Sequence, residues 1–306
     1  MFDYYGRNVD YTVGWTPSLY CKNNCFYCPQ RFERKSNKLA MRNDIRNNID
    51  LFTNFFNKRG VFAILLSGGE PFQWDGIIEL IKKLTKKHYL MIHTALTEDI
   101  SDFVSQINSN RIIFMRCGLH PNVLEFDDNG SEFLKFYNRV RTLKKKGFKP
   151  IVCVPCRLEV LNSIPSIYEV FSKINVAVEP TYYLQPFSQE YTDEDIDNIK
   201  KLMNTNVNIK LLKYKNNIYN GKICDTGWQD IVINYLGNIT RCWHDEVSPS
   251  LGNIYDDTFN LYKYPQICVS ELPCGCRNYY YDEVCIKDGS KSEMKKLISG
   301  FVKPIG

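Results

Sequence analysis

Three cysteines near the amino terminus, Cys21, Cys25 and Cys28, are spaced so that they could hold a metal cluster. Thiolates at C-x3-C-x2-C spacing in one loop can bind three irons of a four-iron, four-sulfur cluster, which leaves the fourth iron open to another ligand. An open iron suits a chelating small molecule better than a purely structural role. A zinc site would need a fourth protein ligand, and the sequence offers no further Cys or His before His88. The alternative is that the three thiols are ordinary buried side chains.

A glycine-rich run, Gly68-Gly69-Glu70-Pro71, follows the second strand-like segment of the chain. Glycines at the carboxyl end of a strand let the backbone approach a ligand closely, and barrel active sites are built at that edge. Alone, the run could be an ordinary turn. Its position one strand and one helix after the cysteine triad predicts instead that both motifs belong to one site.

These two motifs, together with Tyr27 just before the last cysteine of the triad, resemble those of the radical S-adenosylmethionine (SAM) superfamily. The resemblance implies a [4Fe-4S] cluster whose open iron takes the amino and carboxylate groups of SAM. The reduced cluster of that superfamily cleaves SAM to a 5'-deoxyadenosyl radical. The resemblance also implies that Gly68, Gly69, Glu70 and Pro71 contact the SAM amino group and that Tyr27 belongs to the cofactor site.

The family usually has further SAM contacts on later strands, and four polar residues are candidates for them: His93, Thr94, Arg116 and Arg157. The third predicted strand ends in Ile92-His93-Thr94-Ala95 and lacks the asparagine–glycine pair of many relatives. Each of the four candidates could equally be a satisfied surface or rim group.

Half of the twelve cysteines lie in the last third of the chain: Cys224, Cys242, Cys268, Cys274, Cys276 and Cys285. Cys224, the Gly237-x4-Cys242 segment and the later cysteines resemble the SPASM or twitch extension of radical SAM enzymes. The resemblance implies at least one auxiliary [4Fe-4S] cluster with Cys224 and Cys242 as ligands; Cys274 and Cys276 are favoured as the other two. The closing half departs from the family spacing and reads C-x5-C-x-C-x8-C. A second, incompletely ligated cluster and a zinc site therefore stay open.

Three further cysteines, Cys117, Cys153 and Cys156, lie on or just after the predicted fourth and fifth strands. Buried free cysteine is common in protein cores, so core packing is the simpler interpretation. A thiol that faced the lumen of a barrel could instead donate a hydrogen atom to a substrate radical, as a cysteine does in peptide epimerases of the superfamily. All three are therefore tentative catalytic residues.

Between the first and last groups of cysteines, apolar strand-like runs alternate with amphipathic helical segments, which predicts βαβ units and a parallel sheet. The predicted strands are Tyr11–Trp15, Val61–Leu66, Tyr89–Thr94, Arg111–Cys117, Lys149–Val154 and Asn175–Val178. Apolar helical stripes begin at Ile45, Ile77 and Phe133, and Thr192 begins a capping box ahead of another helix. Six units are too few for a closed eightfold barrel, so we predict an α/β fold with an open, partial (β/α)6 barrel of the TIM type.

The helical periodicity fades after about residue 215, where the chain becomes rich in loops and cysteine. Gln229–Tyr235 and Ile239–Trp243 predict a β-hairpin that turns at Leu236-Gly237-Asn238. We therefore predict a radical SAM barrel at residues 1–215 and a small cysteine-rich hairpin and loop domain at residues 216–306. Bound metal would supply the stability that the second domain lacks in apolar side chains.

Composition excludes several classes of protein. The 306 residues are 44% hydrophobic and 24% charged, which allows a folded core and excludes disorder. No apolar run is long enough to span a membrane, and the amino terminus has no secretory signal, so we expect a cytoplasmic protein with reduced cysteines. A net charge of +5 is too small to predict nucleic-acid binding.

The resemblance implies an oxidoreductase that abstracts a hydrogen atom from its substrate and needs an electron donor such as flavodoxin or ferredoxin. A ribosomally made peptide is the first expected substrate, with epimerisation, crosslinking or oxidation as the outcome, because SPASM and twitch relatives mostly modify peptides. Only twenty residues precede Cys21, which leaves no room for a leader-binding domain and favours epimerases or smaller dehydrogenases. Dehydrogenation of a small metabolite such as an aminocyclitol is the second expectation, and a non-catalytic iron–sulfur or zinc protein is the third.

Overall fold

The computed structural model describes most of the predicted site residues. It describes residues 1–23, 25, 27, 28, 30–120, 131–156, 158–181, 192, 194, 197, 221, 223–243 and 249–270. Arg157, Cys274, Cys276 and Cys285 lie outside the described residues, as does most of the helix predicted after Thr192.

Strands and helices alternate over the first two thirds of the chain. The strands are β1 (Phe2–Asp3), β2 (Asn8–Val9), β3 (Tyr11–Trp15), β4 (Phe62–Leu66), β5 (Tyr89–Thr94), β6 (Ile112–Gly118), β7 (Pro150–Pro155), β8 (Ala177–Thr181), β9 (Ile223–Cys224), β10 (Asp230–Ile233), β11 (Asn238–Thr240), β12 (Gly252–Asn253) and β13 (Gln266–Ile267). The α-helices are α1 (Arg31–Ser36), α2 (Ile49–Asn57), α3 (Ile77–Leu84), α4 (Ser101–Gln106), α5 (Ser131–Lys145) and α6 (Ile164–Ser172). Short 3-10 helices occupy Lys38–Met41, Ile45–Asn48, Pro71–Gln73, Ser109–Arg111 and Leu158–Ser163.

Six strands, β3 to β8, lie side by side in chain order and pair in parallel. At least one α-helix separates each of these strands from the next in the chain. In the described residues, the nine-stranded sheet that contains them ends at β8 on one side and at β12 on the other, so it is open. The predicted α/β fold with an open, partial (β/α)6 barrel is confirmed, and the six predicted strands match β3 to β8 to within a few residues.

One apolar face of each long crossover helix packs on the sheet. The buried positions of α2 and α3 are Ile49, Phe52, Thr53, Phe55, Phe56, Ile77, Leu80, Ile81 and Leu84. Most of these are the positions that the sequence periodicity predicts. Burying a large aliphatic or aromatic side chain contributes roughly 1.5–3 kcal/mol, so these faces hold the helices against the strands. None of the described helices is long and apolar enough to cross a lipid bilayer.

Alternate residues along a strand face opposite sides of the sheet. In β4, Phe62, Ile64 and Leu66 belong to the main apolar core, which also contains the buried faces of the helices. Ala63 belongs to a second, smaller core together with Tyr4 beside the β1–β2 hairpin and inner residues of β5 and β6. Because its members lie near the amino ends of the strands, this second core fills that end of the barrel lumen with apolar side chains.

The carboxy-terminal hairpin extends the same sheet. β10 pairs in parallel with β3, where Ile231 lies opposite Val13, and β11 and β12 follow in antiparallel pairs. The turn between β10 and β11 contains Gly237, whose φ of +79° favours glycine. The structure therefore contains the predicted hairpin, with shorter strands. The predicted domain boundary at residue 215 lies outside the described residues and stays a prediction.

Candidate active site

A cavity of about 400 Å3 opens at the carboxyl ends of the parallel strands. Its walls are the loop after β3, the segment after β4 and the last residues of β5 to β8. The predicted site residues in its lining are Cys21, Cys25, Tyr27, Cys28, Gly68, Gly69, Glu70, His93, Thr94, Arg116 and Cys153. The fold therefore brings both motifs and most strand-end candidates to one cavity, whose volume suits a small-molecule ligand.

The triad cysteines lie in the loop between β3 and α1. Cys25 is buried, whereas Cys21 and Cys28 are half-buried. Burial raises the pKa of Cys21 to about 11 and also raises the pKa of Cys25, and the positive charge of Arg34 partly offsets both effects. Because burial disfavours the thiolate, these thiols would ionise readily only with a compensating positive charge, which a bound metal supplies.

The residues around this loop fit a cluster with an open iron. Three thiols line one part of the cavity, and the space beside them could hold a ligand for a fourth iron. Among the residues that the structure describes, no group of three or more Cys, His, Asp or Glu side chains is arranged to hold a single metal ion. Cys21, Cys25 and Cys28 are the residues that would hold the cluster.

Main-chain hydrogen bonds join the cysteine loop to the Gly-Gly-Glu segment. The Gly69 amide donates to the Ser18 carbonyl and the Glu70 amide donates to the Tyr20 carbonyl, each at 3.0 Å. A Cβ atom at Gly69 would lie 2.1 Å from the Tyr20 carbonyl oxygen. Gly68 has a φ of +128°, and a Cβ atom there would lie 2.4 Å from the Ser18 carbonyl oxygen. Both glycines are therefore required by the close approach of two backbones.

The carboxylate of Glu70 joins the end of β4 to the end of β5. One carboxylate oxygen accepts hydrogen bonds from the Thr94 hydroxyl at 2.6 Å and the Phe72 amide at 3.2 Å, and the other accepts from the Ala95 amide at 2.6 Å. Glu70 is 2% exposed. Burial raises its pKa to about 7 even though the three hydrogen bonds favour the charged form. Pro71 follows and begins the 3-10 helix Pro71–Gln73.

Glu70→Gln is expected to change how stability depends on pH. The pKa of Glu70 in the folded protein, about 7, lies above its ordinary value of 4.5, so the folded state holds this proton more tightly than the unfolded state. The wild type should therefore lose about 2–3 kcal/mol of stability relative to Glu70→Gln as the pH rises from 5 to 8. Urea unfolding of both proteins at the two pH values measures this difference.

The control for this measurement is Glu169→Gln, which removes a carboxylate that is 72% exposed on α6. Its pH profile should run parallel to that of the wild type. Parallel profiles for Glu70→Gln and the wild type would contradict the raised pKa of Glu70.

Tyr27 is held by a residue that the sequence analysis did not select. The Tyr27 hydroxyl is 3.0 Å from His120 Nδ1, and the two ring centroids are 5.9 Å apart. Burial lowers the pKa of His120 to about 4, so its imidazole is neutral at physiological pH. Gly118 makes room for this ring, because a Cβ atom there would lie 2.5 Å from His120 Nε2.

A second polar group joins β6, β7 and β8, and two of its members, Arg116 and Cys153, line the cavity. The Arg116 guanidinium forms an ion pair with Glu179 at 2.5 Å and donates from Nε to the Cys153 sulfur at 3.2 Å. The side chains of Arg116 and Glu179 are 21% and 26% exposed. Burial raises the pKa of Cys153 to about 11, against the effect of Arg116, so this residue is a neutral thiol at physiological pH.

The other middle cysteines face a different environment. Cys117 and Cys156 are fully buried in the main core, and neither is among the described residues that line the cavity. Of the three candidate hydrogen donors, Cys153 lines the cavity.

Three of the carboxy-terminal cysteines are described, and they lie in neighbouring elements. Cys224 on β9 and Cys242 after β11 are buried, whereas Cys268 after β13 is half-buried. β9 pairs with β13. Arg241, next to Cys242, donates to the Ile267 carbonyl at 2.8 Å and thereby attaches the hairpin to β13. The auxiliary cluster and all of its ligands stay a prediction.

His120, which lines the cavity, and Glu179, which pairs with the lining residue Arg116, are among the residues that the sequence analysis missed. Glu179 lies one residue beyond the predicted end of the sixth strand, which the structure extends to Thr181. The two-residue alternation from Ala177 through Glu179 to Thr181 is a signal that could have placed all three on one face. His120 follows β6 by two residues, at the strand end where barrel sites are built.

The fold has counterparts among solved structures. Native anSMEcpe with bound AdoMet (SAM) matches this chain with a TM-score of 0.55 at 17% identity, covering 80% of this chain and 78% of that one. SuiB of Streptococcus suis bound to S-adenosylmethionine matches with a TM-score of 0.51 at 14% identity, covering 76% of this chain and 58% of that one. The chain therefore shares its fold with these two S-adenosylmethionine-bound proteins.

Sequence comparison also relates this chain to curated proteins. A GTP 3',8-cyclase of Clostridium perfringens (strain SM101 / Type A) is 27% identical over 218 residues, which cover 70% of this chain. The chain spans 58% of the length of that cyclase. No protein-family model matches the chain. A further structure, native anSMEcpe with bound AdoMet and Cp18Cys peptide, matches with a TM-score of 0.51 at 17% identity.

Proposed function

We propose that this protein is a radical SAM enzyme in which Cys21, Cys25 and Cys28 hold a [4Fe-4S] cluster and SAM binds at the open iron. The observation that supports this proposal is the single cavity in which the cysteine triad, the Gly-Gly-Glu segment and Tyr27 meet. When bound, these cofactors supply a 5'-deoxyadenosyl radical that can abstract a hydrogen atom from an unactivated carbon.

Residues of the chain would orient SAM from three directions. The backbone at Gly68 and Gly69 has no side chain to obstruct a ligand, and it is fixed by its bonds to the cysteine loop. Glu70 fixes the end of β5, which places His93 and Thr94 at the cavity. Tyr27, bonded to His120, forms a further part of the wall. Groups that are locked in place by such contacts orient a ligand at little entropic cost.

The substrate would bind toward the lumen, beside the polar group on β6 to β8. The ion pair of Arg116, which lines the cavity, with Glu179 places a positive and a negative group side by side. Such a pair can orient a polar substrate through charge-assisted hydrogen bonds. The apolar second core below the ion pair keeps water from entering through the other end of the lumen.

A ribosomally made peptide is the substrate that we propose, with epimerisation, crosslinking or oxidation as the outcome. The match to anSMEcpe with a bound peptide supports this choice. The second candidate is a small molecule, and the similarity to GTP 3',8-cyclase, whose name states that it acts on GTP, favours this alternative.

The proposal includes at least one auxiliary [4Fe-4S] cluster in a carboxy-terminal domain at residues 216–306. The described Cys224, Cys242 and Cys268 lie in neighbouring elements, which supports a common site. Such a cluster would also stabilise a region that is poor in apolar side chains.

Anaerobic turnover assays test the proposed function. The reconstituted, dithionite-reduced protein is incubated with SAM, alone and with the short peptides encoded beside its gene. We expect 5'-deoxyadenosine together with a change in the mass or stereochemistry of a peptide. Cleavage of SAM without any peptide change would favour a small-molecule substrate. An intact cluster that yields no 5'-deoxyadenosine would leave only a non-catalytic iron–sulfur protein.

Cys153→Ala is expected to uncouple SAM cleavage from product formation if the reaction ends with return of a hydrogen atom. The Cys153 thiol lines the cavity and accepts a hydrogen bond from Arg116, so it is placed to transfer its hydrogen atom to a substrate radical. The S–H bond breaks, a C–H bond forms, and the sulfur radical left on Cys153 returns to the thiol by taking up one electron from the reductant in the assay and one proton. The ratio of product to 5'-deoxyadenosine should fall at least about tenfold, which is 1.4 kcal/mol.

The matched controls are Cys117→Ala and Cys156→Ala, which remove thiols from the main core. Both should keep the product ratio of the wild type even if they lower stability. The donor role is excluded if Cys153→Ala also keeps that ratio.

A further inference from the structure

The segment that contains most of the cysteine triad is strongly basic. Between Lys22 and Arg42 the sequence contains six basic residues and one acidic residue, Glu33, so this segment carries a formal charge of +5. That value equals the net charge of the whole chain. A group of like charges beside a site attracts partners of opposite charge.

Two large apolar side chains are exposed within the same segment. Phe32 on α1 is 63% exposed and Leu39 in the following 3-10 helix is 44% exposed. The exposed basic residues of the segment are Lys22, Lys35, Lys38 and Arg42. Exposed apolar residues that are surrounded by charged ones have the anatomy of a protein-binding surface, with an apolar centre and a polar rim.

This surface is attached directly to the loop that carries the triad. The Arg31 amide donates to the Cys28 carbonyl at 3.0 Å, so α1 begins immediately after the last cysteine. The Arg34 guanidinium donates to the carbonyl oxygens of Cys21 and Asn23, each at 3.3 Å. Phe32 is thus four residues from Cys28, on a helix that is bonded to both ends of the triad.

We propose that the segment Lys22–Arg42 is the docking surface for an acidic protein that carries one electron, of the flavodoxin or ferredoxin class. This proposal rests on the proposed function, because the cluster held by the triad must be reduced before SAM is cleaved. One electron moves from the carrier to the centre that the three thiolates hold, so the carrier is oxidised by one electron and no atom is transferred.

Charge complementarity identifies the kind of partner. An acidic carrier would be steered to this surface from solution, and its association rate would fall as salt screens the charges. Electron-transfer complexes bury little area and are weak and short-lived. A segment with two exposed apolar side chains and four exposed basic ones is suited to such a partner, and its position beside Cys28 keeps the path for the electron short.

The first test measures binding of purified oxidised flavodoxin to the full-length protein at low and at high salt. The double variant Lys35→Glu/Lys38→Glu should weaken binding at low salt about tenfold or more and should reduce its salt dependence. The control is Lys144→Glu/Lys145→Glu, which changes the net charge equally on the exposed end of α5 and should bind as the wild type does. Phe32→Ala should weaken binding at both salt concentrations, because it removes an apolar contact.

The second test separates this inference from the proposed function. Dithionite-driven SAM cleavage should be unchanged in Lys35→Glu/Lys38→Glu, whereas cleavage driven by reduced flavodoxin should fall in proportion to binding. Equal flavodoxin binding by the wild type and this variant would overturn the docking proposal even with dithionite-driven cleavage intact. The proposal would also be overturned if a short RNA competed with flavodoxin for this surface and bound it equally well, because the surface would then be a general polyanion site. Absence of dithionite-driven cleavage in the wild type would count against the proposed function instead.

Discussion

Replacement of Cys21, Cys25 or Cys28 by alanine, one at a time, is expected to abolish 5'-deoxyadenosine formation by the dithionite-reduced protein. These thiols lie in one loop beside the Gly-Gly-Glu segment, and the proposed cleavage of SAM depends on a cluster that they would hold together. Loss of one thiolate removes a corner ligand that no neighbouring Cys or His of the loop can replace. SAM cleavage should fall at least about 1,000-fold, which corresponds to about 4 kcal/mol of barrier.

Three measurements on the same samples check this expectation: iron content, the electron paramagnetic resonance signal of the reduced protein and the yield of 5'-deoxyadenosine. The triple alanine variant should keep the iron of an auxiliary cluster. Cys156→Ala is the control, since this thiol is buried in the main core and should be dispensable for cleavage. Cleavage that persists in every triad variant would contradict the cluster assignment.

The strands, helices and strand-end motifs could be predicted because local patterns determine them. Runs such as Tyr89–Thr94 are apolar and flanked by breaks, and the stripe Ile45, Ile49, Phe52 and Phe56 repeats with the period of a helix. Parallel strands in βαβ units place all their carboxyl ends at one edge. The convergence of the cysteine loop and the Gly-Gly-Glu segment followed from that rule.

The pairing of the carboxy-terminal hairpin could not be predicted in the same way. β10 lies beside β3, more than two hundred residues earlier in the chain. Its apolar pattern shows that one face is buried, but it carries no information about the strand against which it packs. The structure therefore contains one continuous sheet that includes this hairpin, whereas the sequence predicts only a hairpin in a separate domain.

The side of the sheet on which the thiol of a middle cysteine lies depends on strand register, and the sequence does not reveal that register. On β6, Ile113 and Phe114 are neighbours, yet both pack against the second core, because the pairing with β5 shifts register between Leu90 and Met91. Simple alternation along β6 therefore fails, and Arg116 rather than Cys117 lines the cavity. The ion pair of Arg116 with Glu179 could not be predicted either, because it joins β6 to β8 and β7 lies between these two strands in the chain.

Gly69→Ala is expected to be among the most destabilising single substitutions in the site. A Cβ atom at this position would lie 2.1 Å from the Tyr20 carbonyl oxygen and 2.6 Å from the Leu19 carbonyl carbon. Both contacts are with backbone, which cannot move aside as a flexible side chain could. The segment must separate from the cysteine loop, which breaks the bonds of the Gly69 and Glu70 amides to Ser18 and Tyr20. Leaving those groups unpaired should cost about 3–5 kcal/mol of unfolding free energy.

Gly6→Ala is the matched control for this substitution. Gly6 has a φ of +74° and no atom within 4 Å of the added Cβ, so its cost should be the backbone term alone, about 1–2 kcal/mol. Urea unfolding of both variants gives the difference that belongs to the contact between the two backbones, and calorimetric titration with SAM gives its effect on the site. Gly69→Ala should lose SAM binding while Gly6→Ala keeps it, because separation of the two segments moves the triad away from the wall that would hold SAM. Similar unfolding free energies for the two variants would show that the cysteine loop and the Gly-Gly-Glu segment are not held together as the hydrogen bonds indicate.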